Sequence, residues 1–105
     1  MGLRSASEIH ERDMGDPDYR REYERTRFAN AVAIQVVRYR AEHELSQTAL
    51  ARLLGWNQSR ISSLEAADHE PSLSTLAHLS TVLGLDLSIT ISPGVLELAA
   101  RADGT

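Results

Sequence analysis

The string SQTALARLLGWNQSRISSLE, residues 46–65, constrains this chain more than any other part of it. Ser46 and Asn57 are residue types whose side-chain oxygens cap the first turn of a helix. Gly55 lies between them and supplies the positive φ of a tight turn. Two short helices joined by a turn are therefore expected, at 46–54 and from 57 to Ala66 or Ala67. Leu45 precedes the first cap and can staple onto Leu50, and Trp56 can staple onto Ile61 in the same way. Ala51 is small enough for the two helices to approach closely, and Leu50, Leu54, Ile61 and Leu64 close a small core between them. The second helix then turns Gln58, Ser59, Ser62 and Ser63 outward. All four are polar groups that donate or accept, as base edges in a major groove require.

The flanking sequence supplies the rest of a helical domain. Asp16-Pro17 opens a helix, with Asp as cap and Pro at the first helical position, and nothing breaks that helix before about His43. Its first part, 16–27, is charged and carries Tyr19 and Tyr23 on one stripe. Its second part places Phe28, Val32, Val36 and Tyr39 on one apolar face. The second part should be buried and the first should project. Pro71 forces a loop at 68–71. Ser72 caps a further helix, with Leu73, Leu76, Leu79 and Leu83 inward and Gly84 closing it. The period then changes to two, with Leu85, Leu87, Ile89 and Ile91 alternating with Asp86, Ser88, Thr90 and Ser92. Pro93-Gly94 stops that strand, and 95–101 reads as one or two loose helical turns.

Composition excludes much else. The 105 residues suit one domain with tails, and 42% hydrophobic and 25% charged residues are ordinary for a globular protein. No apolar run approaches the roughly 20 residues of a membrane span, and residues 1–13 lack the apolar core of a secretory signal. There is no cysteine, so disulfides and thiolate metal sites are excluded; a reducing cytoplasm is compatible with this. His10, His43, His69 and His78 have no i, i+4 pairing, the glycines are scattered, and no serine sits in a nucleophile elbow. No enzyme activity, metal or cofactor is expected.

The net charge of −4 argues against a protein that coats nucleic acid without preference. All 11 basic residues are arginine, through codon usage or through a preference for bidentate contacts to phosphate or carboxylate.

Residues 28–84 resemble the Xre/Cro family of phage-repressor helix-turn-helix domains, on the pattern of Gln47, Leu50-Ala51, Gly55, Gln58-Ser59, Ile61-Ser62 and Leu64-Glu65. The resemblance implies an all-α, five-helix domain, here followed by a short C-terminal β-strand. It implies that Gln47 meets a backbone phosphate, and that Gln58, Ser59 and Ser63 read bases. It also implies a structural ion pair between Arg40 and Glu65. Asn57 and Ser62 complete the candidate DNA surface, with Arg60 either a phosphate clamp or an ordinary exposed side chain. Residues 28–92 hold four arginines and six acids, a net of −2. One subunit should therefore bind weakly. A two-fold dimer with recognition helices about 34 Å apart would match successive major grooves of a palindromic operator.

A lone strand leaves its backbone groups unpaired. The expected partner is the same strand of a second copy, through Leu87, Ile89 and Ile91; the other options are a strand added to another protein's sheet and a strand that mostly frays. The layout as a whole (arm 1–15, extension 16–27, domain 28–84, strand 85–92, tail 93–105) resembles HigA-like antitoxins. That resemblance implies a small basic RelE/HigB-type toxin as partner, met by Asp16, Asp18, Tyr19, Glu22, Tyr23 and Phe28, and a bacterial cytoplasmic protein at the nucleoid. A stand-alone Xre-type regulator and a helix-turn-helix reduced to a scaffold are the alternatives.

Overall fold

The structure, a computed structural model, describes residues 17–101. The arm, the Asp16 cap and candidate contact, the side chain of Asp18 and residues 102–105 lie outside the described residues.

Helix α1 spans Pro17–Glu42 without a break, so the charged extension and the first helix of the domain are one element. Its apolar stripe is buried as expected at Phe28, Val32 and Val36, with Ala29 and Ala33 beside it. The helix ends on Glu44 in left-handed geometry (φ 54), with Leu45 N–H donating to Arg40 O at 2.9 Å. Helix α2 is Gln47–Leu54, α3 is Gln58–Ala66 and α4 is Leu73–Leu83. Ser46, Asn57 and Ser72 cap them as read from the sequence, each side chain accepting the N–H three residues on. Gly55 and Gly84 close α2 and α4 at φ 74 and 71. The core joins Phe28, Val32 and Val36 to Leu50, Leu54, Ile61, Leu76, Leu79 and Leu83.

Leu73 departs from expectation, being 67% exposed. At about 100° per residue, Leu76, Leu79 and Leu83 fall on one narrow stripe. Leu73 falls at its rim, in the first turn of the helix.

The chain after Gly84 corrects the sequence reading most. Strand β1, Asp86–Ser92, is present, but 95–101 is a second strand, β2 (Val95–Arg101), and not a loose helix or tail. The two form an antiparallel hairpin with Ile89 opposite Leu98 and Ile91 opposite Leu96. The strand is therefore not alone, because its partner lies in the same chain. The described residues hold four helices and a two-stranded sheet where five helices and one strand were expected. The turn residues explain the outcome. Pro93 fixes the φ that the first central position of a two-residue turn needs, and Gly94 takes φ 73 at the second. Leu96 and Leu98 then face inward with Ile89, and β2 packs on α1.

Candidate nucleic-acid interface

Helices α2 and α3 pack on each other, and α3 also packs on α1. Between the two short helices, Trp56 N–H donates to Ala51 O at 2.9 Å, which closes the turn behind Gly55. Ala51, fully buried, allows the close crossing. Ile61 and Leu50 are completely enclosed, so α3 has one orientation available to it. Its outer side carries Gln58, Ser59 and Ser62, all exposed, with Ser63 half-buried one turn along.

That orientation is secured by a hydrogen-bonded chain. Arg40 Nε donates to Glu65 Oε2 at 2.6 Å and Nη2 to Oε1 at 2.8 Å, while Nη1 donates to Leu45 O at 3.0 Å. The guanidinium thus ties α1 to the end of α3 and to the residue before the α2 cap. The hydrogen bond from Arg40 holds the Glu65 carboxyl below the usual carboxylate range against the opposing effect of burial, helped by Gln47 and by the charge of Arg40. Bonding to Glu65 raises Arg40 above its ordinary value, although desolvation acts the other way. Gln47 Nε2 donates to Glu65 Oε1 at 2.9 Å, and Gln58 Nε2 donates to Gln47 Oε1 at 2.6 Å. The structural ion pair implied by the family resemblance is therefore present, and it extends to the surface through two amides.

Arg60 is neither free nor part of that chain. Its guanidinium lies 3.9 Å over the Trp56 ring, and Nη2 donates to Thr75 Oγ1 at 3.0 Å. Thr75 also accepts from Ser72 Oγ, and its N–H donates to that same hydroxyl. Arg60, Ser72 and Thr75 wall a cleft of about 420 Å³ between α3 and the start of α4, which Asn57, Ser59 and Ser63 also line. Sequence reading did not assign Thr75 or Ser72 to this surface. Their spacing of three, at a helix start, is the signal that was available. His78 was also overlooked: its Nε2 lies 2.7 Å from Leu54 O and its ring packs beside Trp56, bracing the end of α2. Arg52 is exposed.

The other candidate surfaces separate. Tyr19 and Tyr23 are half-buried and Glu22 is exposed, and all three lie in the N-terminal part of α1. Phe28 is 3% exposed and belongs to the core, so it is not available to a partner. In the hairpin, Leu87 and Ile89 are half-buried against the domain, whereas Ile91 is 72% exposed. Among the described residues, no group of three His, Cys, Asp or Glu is placed to hold a metal ion. None of the described helices is long and apolar enough to cross a membrane.

Compared with known proteins, the chain has no significant match among curated sequences or solved structures. The Helix-turn-helix family model matches residues 36–90, which is 55 of the 105 residues. That match contains the ion pair, both short helices, α4 and most of β1. With more than half its length covered and the turn, caps and polar outer face all in place, the chain belongs to the Xre-like helix-turn-helix family of DNA-binding transcriptional regulators.

Proposed function

We propose that the chain is a sequence-specific repressor that reads a palindromic duplex operator as a homodimer. The observation that carries this reading is the exposed row Gln58, Ser59 and Ser62 on a helix whose inner side, Ile61, is fully enclosed. Such a helix presents short polar groups to base edges at a set depth. Ser63 extends the row. Asn57 and the backbone N–H groups at the starts of α2 and α3 face phosphates, as do Gln47 and Arg60. With four arginines against six acids between residues 28 and 92, two subunits are needed for useful affinity. The Leu87, Ile89 and Ile91 strand is the proposed contact between them, through the edge of β1 that β2 does not occupy.

The test is selection of duplexes from a random pool, followed by a mobility shift on the winning sequence. An enriched palindrome is expected. Replacing Gln58 and Ser59 by Ala should abolish its preference over random DNA while the far-ultraviolet circular dichroism stays unchanged. Equal binding of both duplexes by the wild-type chain would end the proposal.

The same protein is proposed to act as the antitoxin of a small basic RelE/HigB-type toxin and to repress their shared operon. The support is the run of Tyr19, Glu22 and Tyr23 on the N-terminal part of α1, together with the acidic total charge. One observation favours a stand-alone regulator instead: Glu22 and Glu24 already face Arg25 and Arg27 at 3.8 and 3.2 Å within their own helix. Co-expression with the product of the neighbouring reading frame separates the two. Capture of a small basic protein, lost on Tyr19→Ala with Tyr23→Ala, supports the antitoxin role.

A further inference from the structure

We infer that the outer side of α1 is a self-association face, on which a second copy of this chain packs antiparallel. It adds to the homodimer proposed above a contact that the β1 edge does not make. The direction of packing draws in part on the DNA reading; the face itself does not.

Helix α1 runs unbroken over Pro17–Glu42. At about 100° per residue, Tyr19, Tyr23, Thr26, Asn30, Ile34, Val37 and Ala41 fall within about 80° of one another, over a length of about 33 Å. Steps of four and three are those of a helix-packing seam. Thr26, Asn30 and Ala41 are exposed, as are Ile34 by 54% and Val37 by 42%, while the two tyrosines are half-buried. Leu73 and Val82 of α4 are exposed too, but they stand about 180° apart on their helix and share no stripe. Phe28 and Ala31 line a cleft with Leu96 and Leu98 of β2. Both lie about 100° or more round α1 from the centre of the stripe, so the hairpin leaves it uncovered.

The stripe is complementary to itself. With a two-fold axis at Asn30, an antiparallel copy sets Tyr19 against Ala41, Tyr23 against Val37, Thr26 against Ile34, and Asn30 against its own equivalent. Large meets small at both ends, so the two helices keep a constant separation. Such a face is isologous, residue i meeting j while j meets i. The Asn30 amide both donates and accepts, so the two copies of it can bond across the axis and fix the register. A parallel pair would set tyrosine on tyrosine at one end and alanine on alanine at the other, and the helices would splay.

The position of α3 selects the same direction. Arg40, which holds α3 through Glu65, lies about 80° round α1 from the stripe. The axis of an antiparallel pair is perpendicular to both helices and keeps like flanks together. Both α3 helices then face one way, as a single duplex requires. A parallel pair would turn them to opposite sides. About 33 Å by 10 Å is about 350 Å² per copy, at the weak end of specific interfaces, so the pairing is reversible. A basic partner on the exposed stretch would instead run against Arg38, which is exposed at its border.

The full chain contains no cysteine, so single introduced thiols report which positions meet. Under mild oxidation Asn30→Cys should form a disulfide-linked dimer. Thr26→Cys mixed with Ile34→Cys should link, and neither should link alone, because equivalent positions then lie about 12 Å apart along the helices. Sedimentation velocity at rising concentration measures the strength of the unlinked pair. Ile34→Arg should weaken self-association about tenfold or more by bringing two like charges near the axis, with far-ultraviolet circular dichroism unchanged.

Linking of Thr26→Cys alone makes the pair parallel and overturns the inference. So does an Asn30→Cys protein that does not link, or an Ile34→Arg protein that associates like the wild type. Association lost with Ile91→Arg and kept with Ile34→Arg assigns the dimer to the β1 edge alone. A wild-type chain that stays monomeric and captures a small basic protein through Ile34 gives the stripe to that partner, which also ends the inference. Operator preference is read separately by duplex selection, so its absence leaves the cross-links standing, and their absence leaves the DNA reading standing.

Discussion

Arg40 and Glu65 meet through two parallel hydrogen bonds of 2.6 and 2.8 Å, with the carboxylate 9% exposed and the guanidinium 24% exposed. Removing one partner leaves the other charge half-enclosed without compensation. Arg40→Ala is therefore expected to lower unfolding free energy by about 3 kcal/mol, measured by urea denaturation. Arg40→Met combined with Glu65→Met should recover most of that loss, because an apolar pair of similar volume carries no stranded charge. Arg40→Lys should not rescue, since an ammonium cannot make the forked contact.

The same pair gives the protein an acid-sensitive component. The Glu65 carboxyl is held below its ordinary range when folded, so in the window between its folded and unfolded values the unfolded state binds more protons. Its contribution is complete above the ordinary carboxylate range and is lost as pH falls through the lowered folded value. Glu65→Gln should be less stable at neutral pH and should lose less stability on acidification. Parallel pH titrations of the urea midpoint would show the two curves converging at low pH.

Ala67 and Gly55 end their helices in the same left-handed geometry, at φ 55 and 74. Alanine pays a steric penalty there that glycine does not. Ala67→Gly should raise stability by about 1 kcal/mol, and Gly55→Ala should lower it by about 1 kcal/mol. A β-carbon at Gly55 would meet nothing within 4 Å, so its cost would be a backbone cost. Thermal midpoints moving in the same direction for both variants would contradict this account.

Arg60, held over Trp56 and bonded to Thr75, has donors left for one phosphate. In DNA titrations across salt concentrations, Arg60→Ala should reduce the magnitude of the log–log slope by about 1 per subunit. Preference for operator over random DNA should survive. A variant that keeps the slope but loses the preference would make Arg60 a reader of bases.

The features legible in the sequence act through their own backbone neighbours. Ser46, Asn57 and Ser72 bond three residues ahead, and Gly55 and Gly84 supply a dihedral, so each announces its role locally. The Arg40–Glu65 pair was legible only through the family pattern, since its partners stand 25 positions apart. The bond from Gln58 to Gln47 was not legible, because it depends on how two helices cross. Strand β2 was hidden by Ala99-Ala100, which favour helix, and by an alternation of only Leu96, Glu97 and Leu98. Its real signal was the Pro93-Gly94 turn, which could have been read as a hairpin and not as a stop. Phe28 belonged at once to an apolar stripe and to a charged segment. Enclosure by the core decided between them.

The placement of β2 along α1, with Arg27 3.9 Å from Glu97, joins positions 70 apart in the chain. A ribosome must therefore release Val95–Arg101 before the first helix gains the part of its cover that β2 supplies, although α3 packs on that helix earlier. Until then the core lacks only the edge that Leu96 and Leu98 supply, and closing so long a loop delays the finish of folding. Nascent chains stalled before Val95 would bind chaperones that the completed protein ignores.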